Sequence, residues 1–276
     1  MMSKKLILAL TTMIVVLAIF ASGSGLFWKD LYINDTKSGS SQEIGSDLVT
    51  LTICVPLLII SAFYTIKGNL RGYLIWIGSI FFFLYTYASM SFLSAYNQLF
   101  LVYVALFSIS AFTFVGNLVT IDPEGVKASI SPKAPVKVVA VFVILVGALL
   151  SLMWLSLILG ALIAGVRPSM LESYTTLVIQ ALDLGVVAPL CFLTGYLLLK
   201  GRGWGYVLAS LVLVKGSTLG TAILSMALFM WLNGVEISLI QVGLFSAMTI
   251  CSAVLAALFY RGMRSTSNVS AKMNLS

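Results

Sequence analysis

Histidine is absent from the 276-residue chain, and cysteine occurs only three times. The missing histidine excludes haem ligation through His, His-based zinc sites, and Ser-His or Cys-His nucleophile pairs. Cys54, Cys191 and Cys251 stand in apolar runs without CxxC spacing, which is typical of small packing residues rather than of a disulfide exchanger. The sequence therefore predicts neither a metal site nor a cofactor.

Charge is equally scarce, because only 9% of the residues are charged while 60% are hydrophobic. A soluble domain carries about 25% charged residues. The mean hydropathy of +1.09 agrees with this shortage of charge. Lipid is therefore the main solvent of this chain.

Eight apolar runs are long enough to cross a bilayer, which takes about 20 residues in a helix. The chain is thus predicted to be an all-α integral membrane protein with eight transmembrane helices. The runs lie near 5–22, 47–66, 73–93, 97–119, 137–164, 174–199, 204–232 and 237–261.

The loops differ strongly in their lysine and arginine content, which predicts orientation. Twelve of these residues fall on one side and three on the other, so both termini are expected in the cytoplasm of a multi-pass plasma-membrane protein. The net charge of +7 is thereby explained as a topology signal, without nucleic acid. The twelve are Lys4, Lys5, Lys67, Arg71, Lys127, Lys133, Lys137, Lys200, Arg202, Arg261, Arg264 and Lys272; the three are Lys29, Lys37 and Arg167.

The first span has two interpretations. It is either a retained anchor or a signal peptide, since Lys4 and Lys5 precede an apolar core that ends at Ala21-Ser22-Gly23. Cleavage of residues 1–23 would leave seven spans with the N-terminus outside.

The second and sixth spans resemble each other when the sequence is shifted by 133 positions. Six of eighteen positions are then identical, including Pro56 on Pro189 and Gly72 on Gly205. Repeats of equal orientation are a common transporter design.

This similarity suggests two same-orientation four-helix halves within one membrane domain, 1–276. The candidate halves are 1–119 and 137–262, joined by a cytoplasmic linker, 120–136. The polar segment 263–276 is predicted to be a disordered tail.

Two opposite charges interrupt apolar helices: Asp183 and Lys215. Asp183 lies nine residues into its span from outside and Lys215 eleven residues in from the cytoplasm, about 13–14 Å and 16–17 Å at 1.5 Å per residue. Both depths fall near the middle of a core about 30 Å thick. An Asp183–Lys215 ion pair between consecutive helices is therefore expected, because pairing lowers the cost of burying either charge.

Other polar residues extend this candidate site. Helical spacing places two on the face of Asp183 and two on that of Lys215, and a third group lies in the outer part of spans three and four. They are Thr176 and Gln180, then Thr218 and Ser225, then Tyr85, Asn97 and Gln98.

The leading functional interpretation is a protein that binds or transports a small solute or ion at this midplane site. Three alternatives stay open: a structural clasp without a ligand, an intramembrane lipid-modifying enzyme, and a retinal-type receptor. The enzyme is less favoured because a second catalytic carboxylate is missing. The expected partners are the bilayer and a solute, with a homo-oligomer as a further option.

Overall fold

Eight helices of a computed structural model, which describes residues 2–264, are long and apolar enough to span a membrane. The predicted all-α membrane fold with eight spans is confirmed. The helices are α1 (Lys4–Phe27), α2 (Lys37–Ile66), α3 (Leu70–Phe92), α4 (Phe100–Thr120), α5 (Val136–Ile163), α6 (Val178–Leu199), α7 (Gly203–Leu232) and α8 (Leu239–Arg261).

Helix α2 begins ten residues before its expected start, at Lys37. The hydroxyl of Thr36 caps it by accepting a hydrogen bond of 2.9 Å from the Gly39 N–H. Its polar first half packs along α7, where Gly45 lies so close to Met226 that an added Cβ would be 2.6 Å from the Met226 Cα. Residues 37–46 are too polar to belong to the predicted apolar span, yet they are helical, and their small residues allow close packing on α7.

Helix α6 begins four residues later than expected, at Val178. The chain between α5 and α6 is irregular apart from a short 3₁₀ turn at Ser169–Leu171. The outer part of α6 before its first irregularity is consequently only one turn long, Val178–Leu182.

The centre of the bundle is formed by α3 and α7, which are the most buried of the spanning helices. They approach closely at Gly78, where an added Cβ would lie 2.7 Å from the Val214 side chain. The other helices pack around them in two similar sets: α4 lies along α3 and α8 along α7, while α1 packs on α2 and α5 on α6. Large apolar side chains such as Leu152 and Ile163 are exposed on the outside, as contact with lipid requires.

Two π-helical segments interrupt α2 and α6 at positions related by the shift of 133. Thr50–Cys54 corresponds to Asp183–Val187, and the helical continuation Val55–Ile66 corresponds to Ala188–Leu199. Each π-segment stands just before a proline, so the same local irregularity recurs in the two hairpins.

The turns after these helices share the same offset. Gly68 and Gly201 both adopt positive φ, 79° and 62°. Four residues later, Gly72 and Gly205 each lie against the backbone of the preceding helix, with an added Cβ 2.4–2.5 Å from its nearest atoms. Two of the identical pairs, Gly68 with Gly201 and Gly72 with Gly205, therefore lie where these tight hairpins need glycine.

We call the end of the bundle that carries Lys67 and Lys200 the basic end. There the segment between α4 and α5 contains a short helix, Pro123–Ser129. The next residue, Ile130, forms an isolated antiparallel β-bridge with Met263. Met263 is thus buried at the start of the segment expected to be a disordered tail, and residues 265–276 of that segment lie outside the described residues.

Candidate functional site

Asp183 is the first residue of the π-helical segment of α6 and is 7% exposed. Both of its carboxylate oxygens accept hydrogen bonds. The Tyr85 hydroxyl of α3 donates to Oδ1 at 2.7 Å, and the Trp154 indole Nε1–H of α5 donates to Oδ2 at 2.9 Å. Three helices therefore meet at one buried carboxylate.

Lys215 of α7 is 4% exposed and faces aromatic rings. Its Nζ lies 4.0 Å from the ring centroid of Tyr85 and 5.8 Å from that of Phe81. No hydrogen bond or salt bridge from this ammonium group is found among residues 2–264. Its neighbours are π-faces, which attract a cation but accept no strong hydrogen bond.

The expected direct ion pair between Asp183 and Lys215 is not confirmed, because the Lys215 Nζ lies more than 4.0 Å from both carboxylate oxygens. The single salt bridge within the described part of the chain is an exposed one, Lys127–Glu124. Both charged groups contact the same side chain, Tyr85, which stands between them. The Tyr85 hydroxyl donates to the carboxylate, and its ring faces the ammonium group.

No protein-family model, curated protein or solved structure matches the chain. The chemistry of the site thus follows from its own geometry.

The two charges are satisfied unequally. Asp183 has two strong donors, and a hydrogen bond to a charged group contributes about 1.5–3 kcal/mol. Lys215 has cation–π contacts worth about 0.5–2 kcal/mol, whereas burying an ammonium costs several kcal/mol. The ammonium group thus keeps unused hydrogen-bonding capacity among the described residues.

The backbone next to Asp183 is irregular. The Ala188 N–H bonds to the Asp183 carbonyl across the wider π turn, and Pro189 offers no N–H to the turn before it. Such a segment leaves carbonyl groups without intrahelical donors. The carboxylate therefore stands at the π-helical irregularity of α6.

Three residues predicted on the faces of Asp183 and Lys215 do not extend the site as expected. Thr176 lies in an exposed bend before α6 and not on its face. Gln180 is buried, but its Nε2 lies 3.2 Å from the Met170 sulfur. The Thr218 hydroxyl donates to the Val214 carbonyl of its own helix at 2.9 Å.

The remaining predicted residues lie elsewhere. Ser225 borders the close contact of α7 with Gly45 of α2. Asn97 is buried in the loop before α4, where its Oδ1 accepts a hydrogen bond of 2.9 Å from the Leu99 N–H, and Gln98 is exposed. Of the predicted group, the site brings together Asp183, Lys215 and Tyr85.

Trp154 and Phe81 were not foreseen at this site. Both stand in uniformly apolar sequence, where nothing local shows which way they face. The indole N–H of Trp154 was the one available signal, since a buried indole seeks an acceptor at membrane depth.

The opposite, acidic end of the bundle carries Asp35, Glu43 and Asp47. Asp35 accepts hydrogen bonds from the Ala95 N–H at 2.8 Å and the Tyr174 hydroxyl at 3.1 Å, and Glu43 accepts one from the Ser94 hydroxyl at 2.5 Å. Burial raises the pKa of Asp35, and the two hydrogen bonds partly oppose that rise. These bonds tie the start of α2 to the loop between α3 and α4.

Proposed function

We propose that the protein binds a small solute at the Lys215–Tyr85–Asp183 site and moves it across the bilayer. The observation that carries this proposal is that Lys215 is buried within a membrane-spanning helix and that its ammonium group has aromatic rings as its neighbours. A charged intramembrane group with unused hydrogen-bonding capacity is favoured as a binding determinant. The solute would carry an acceptor for that group, such as a carboxylate.

The position of the site within the bundle supports this function. Tyr85 lies on α3 in the first candidate half, and Asp183 and Lys215 lie in the second. The equal offsets of π-segments and turns support the two halves, 1–119 and 137–262, as a duplication. In transporters built from repeats, substrates bind where the repeats meet.

The π-segment at Asp183–Val187 supplies a means of movement. Conversion of this π-helical segment to regular helix would shift the outer turn of α6 and break the hydrogen bond between Asp183 and the Tyr85 hydroxyl. The Tyr85 ring would then move relative to Lys215, so arrival of a solute acceptor and release of the aromatic contact would be coupled.

The charge distribution supports a plasma-membrane location with the basic end in the cytoplasm. In that orientation the sites at Asp35 and Glu43 face outside. Cysteine-accessibility labelling of single substitutions at Lys67 and Asn34 in intact cells tests this, because only the outer position should react with an impermeant reagent.

A solute screen by thermal shift in detergent tests the function. The panel contains small carboxylates, amino acids, phosphates and amines at millimolar concentration. We expect an acceptor-bearing solute to raise the Tm of wild type, since a ligand at 100 times its Kd stabilises by about 2.7 kcal/mol. Uptake of that solute into liposomes then measures transport.

Lys215→Met should abolish the shift, whereas Thr218→Val, one turn away on α7, should retain it. Thr218 is a matched control because its hydroxyl bonds within its own helix. An unchanged shift in Lys215→Met, or no response to any member of the panel, would contradict the proposal.

A structural clasp is the second candidate, favoured by the hydrogen bond that each carboxylate oxygen of Asp183 accepts from a neighbouring helix. Two shallow surface depressions, one lined by Trp231 and Leu239 and one by Phe20 and Gly23, do not include the site. In a clasp, each charge would be needed for stability and no solute would bind. The stability variants in the Discussion separate the two candidates.

A further inference from the structure

A second buried polar cluster lies toward the acidic end, around the carboxylate of Asp47, which is 2% exposed. Its Oδ2 accepts a hydrogen bond of 2.7 Å from the Tyr32 hydroxyl. Gly25 of α1 makes room for it, because an added Cβ there would lie 1.8 Å from Oδ2 and 2.6 Å from the Tyr32 hydroxyl oxygen. The carboxylate is thus held in a close contact between α1 and α2.

Three further hydroxyl groups in this cluster have no hydrogen-bond partner of good geometry: those of Ser22, Tyr87 and Tyr103. All three side chains are at most 1% exposed. Ser22 stands one turn before Gly25 on α1 and lies beside Asp47. A buried hydroxyl without a partner costs about 1–3 kcal/mol, so three in one place indicate something that they are arranged to bind.

The tyrosines come from two other helices, α3 and α4. Their rings stack with centroids 6.2 Å apart. The Tyr87 hydroxyl neighbours Ser22, and the Tyr103 hydroxyl lies beside Tyr32. Hydroxyl groups from α1, α3, α4 and the first loop therefore form one buried polar cluster with the Asp47 carboxylate of α2.

The negative charge of Asp47 has no cationic side chain against it. Within residues 2–264 no lysine or arginine nitrogen lies within 4.0 Å of an Asp47 oxygen. Glu43, one turn earlier on α2, adds negative potential toward the acidic end. Burying a carboxylate in this way is costly unless a positive charge accompanies it.

We propose that Asp47 and the hydroxyl groups of Ser22, Tyr87 and Tyr103 bind one alkali-metal cation. The ligand set is hard oxygen with a single carboxylate, which matches a monovalent ion. A divalent ion takes more carboxylates, and among the described residues no three Asp, Glu, His or Cys side chains are grouped to hold one. This site is separate from the solute site and does not depend on the proposed function.

Thermal unfolding in detergent tests the proposal at fixed pH and ionic strength, with NaCl or KCl replacing choline chloride stepwise. We expect the Tm of wild type to rise and saturate with one of the alkali cations. Asp47→Asn should remove that cation dependence, whatever its effect on the Tm in choline chloride. Asp30→Asn is the matched control, because it makes the same change at an exposed residue of the same end and should respond like wild type.

Tyr87→Phe and Ser22→Ala each delete one ligand while keeping the side-chain packing nearly unchanged. They test the site if Asp47→Asn does not fold. Each should raise the half-saturating cation concentration about tenfold, since a bond to a charged group is worth more than 1.4 kcal/mol.

Equal Tm values in NaCl, KCl and choline chloride would overturn the proposal. So would an equal cation response in wild type, Asp47→Asn and Tyr87→Phe, which would indicate general salt stabilisation. A second series at varied pH distinguishes a proton from a metal ion: a pH dependence of the Tm that Asp47→Asn removes, without any cation dependence, would assign the site to a proton and would overturn the proposal as well.

Discussion

The Nζ of Lys215 lies 4.0 Å from the ring centroid of Tyr85, whose hydroxyl oxygen is 2.7 Å from Oδ1 of Asp183. One tyrosine from the first half of the chain thereby separates two opposite charges that stand on consecutive helices of the second half. The ring contact and the hydroxyl contact can be removed independently by substitution, which makes this arrangement open to direct test.

Tyr85→Phe removes the hydroxyl and keeps the ring. We expect a loss of stability of about 1–3 kcal/mol, because Asp183 loses a buried donor. Tyr85→Leu should lose more, since the cation–π contact with Lys215 also disappears. Thermal unfolding in detergent measures both. Tyr96→Phe, at a residue that is 77% exposed, is the control and should leave the Tm unchanged.

The charges themselves are tested by Asp183→Asn, Lys215→Met and the double variant. We expect Lys215→Met to be as stable as wild type or more so, because it removes a buried ammonium that has no strong acceptor. Asp183→Asn should be destabilised by about 1–3 kcal/mol. If instead both single variants lose several kcal/mol and the double variant recovers them, the clasp is the correct interpretation.

Trp154→Phe deletes the indole donor to Asp183 while keeping an aromatic ring in α5. The expected cost is about 1–3 kcal/mol in stability, because Oδ2 then lacks its partner. Trp231→Phe changes a tryptophan that is 61% exposed and should cost little. Equal losses in the two variants would show that ring size, and not the hydrogen bond, matters at Trp154.

Two glycines of α1, Gly25 and Gly23, allow a test of the close contact between α1 and α2, because only the first lies in that contact. Gly25→Ala would place its Cβ 1.8 Å from the Asp47 carboxylate, so α1 or Asp47 must shift, and we expect a clear fall in Tm. Gly23→Ala has nothing within 4 Å of the added Cβ and should be neutral or stabilising by about 0.5–1 kcal/mol, as Ala favours a helix. A similar Tm for both variants would contradict the close contact between α1 and α2.

The raised pKa of Asp35 predicts a pH dependence. Its folded form binds a proton more tightly than the unfolded chain, whose value is about 3.9, so this residue's contribution to stability falls as pH rises from that value through the folded pKa. Asp35→Asn should remove that part of the decline, and Asp30→Asn should not. A Tm measured from pH 4 to pH 8 checks it; parallel curves for wild type and Asp35→Asn would be the contrary result.

The positions of the spans followed from the sequence because each needs about 20 apolar residues and leaves a continuous signal. The first residues of α2 and α6 did not follow from the sequence. Helix α2 begins early, at Lys37, with a polar part that packs on α7, and α6 begins late because residues 174–177 are irregular. Hydropathy measures contact with lipid, and both errors fall where a segment contacts protein or the aqueous phase instead.

The sequence by itself determined eight helices, the presence of Asp183 and Lys215 within two consecutive spans, and the matching prolines and glycines of two hairpins, because these depend on local composition and on counting residues along a helix. Only the tertiary structure decided that Tyr85 stands between the charges, that Trp154 reaches the same carboxylate, and that three hydroxyl groups without partners belong to the buried cluster of Asp47. The rotation of a helix and the choice of its neighbours are set by the packing of the whole bundle. An apolar helix carries almost no local record of either.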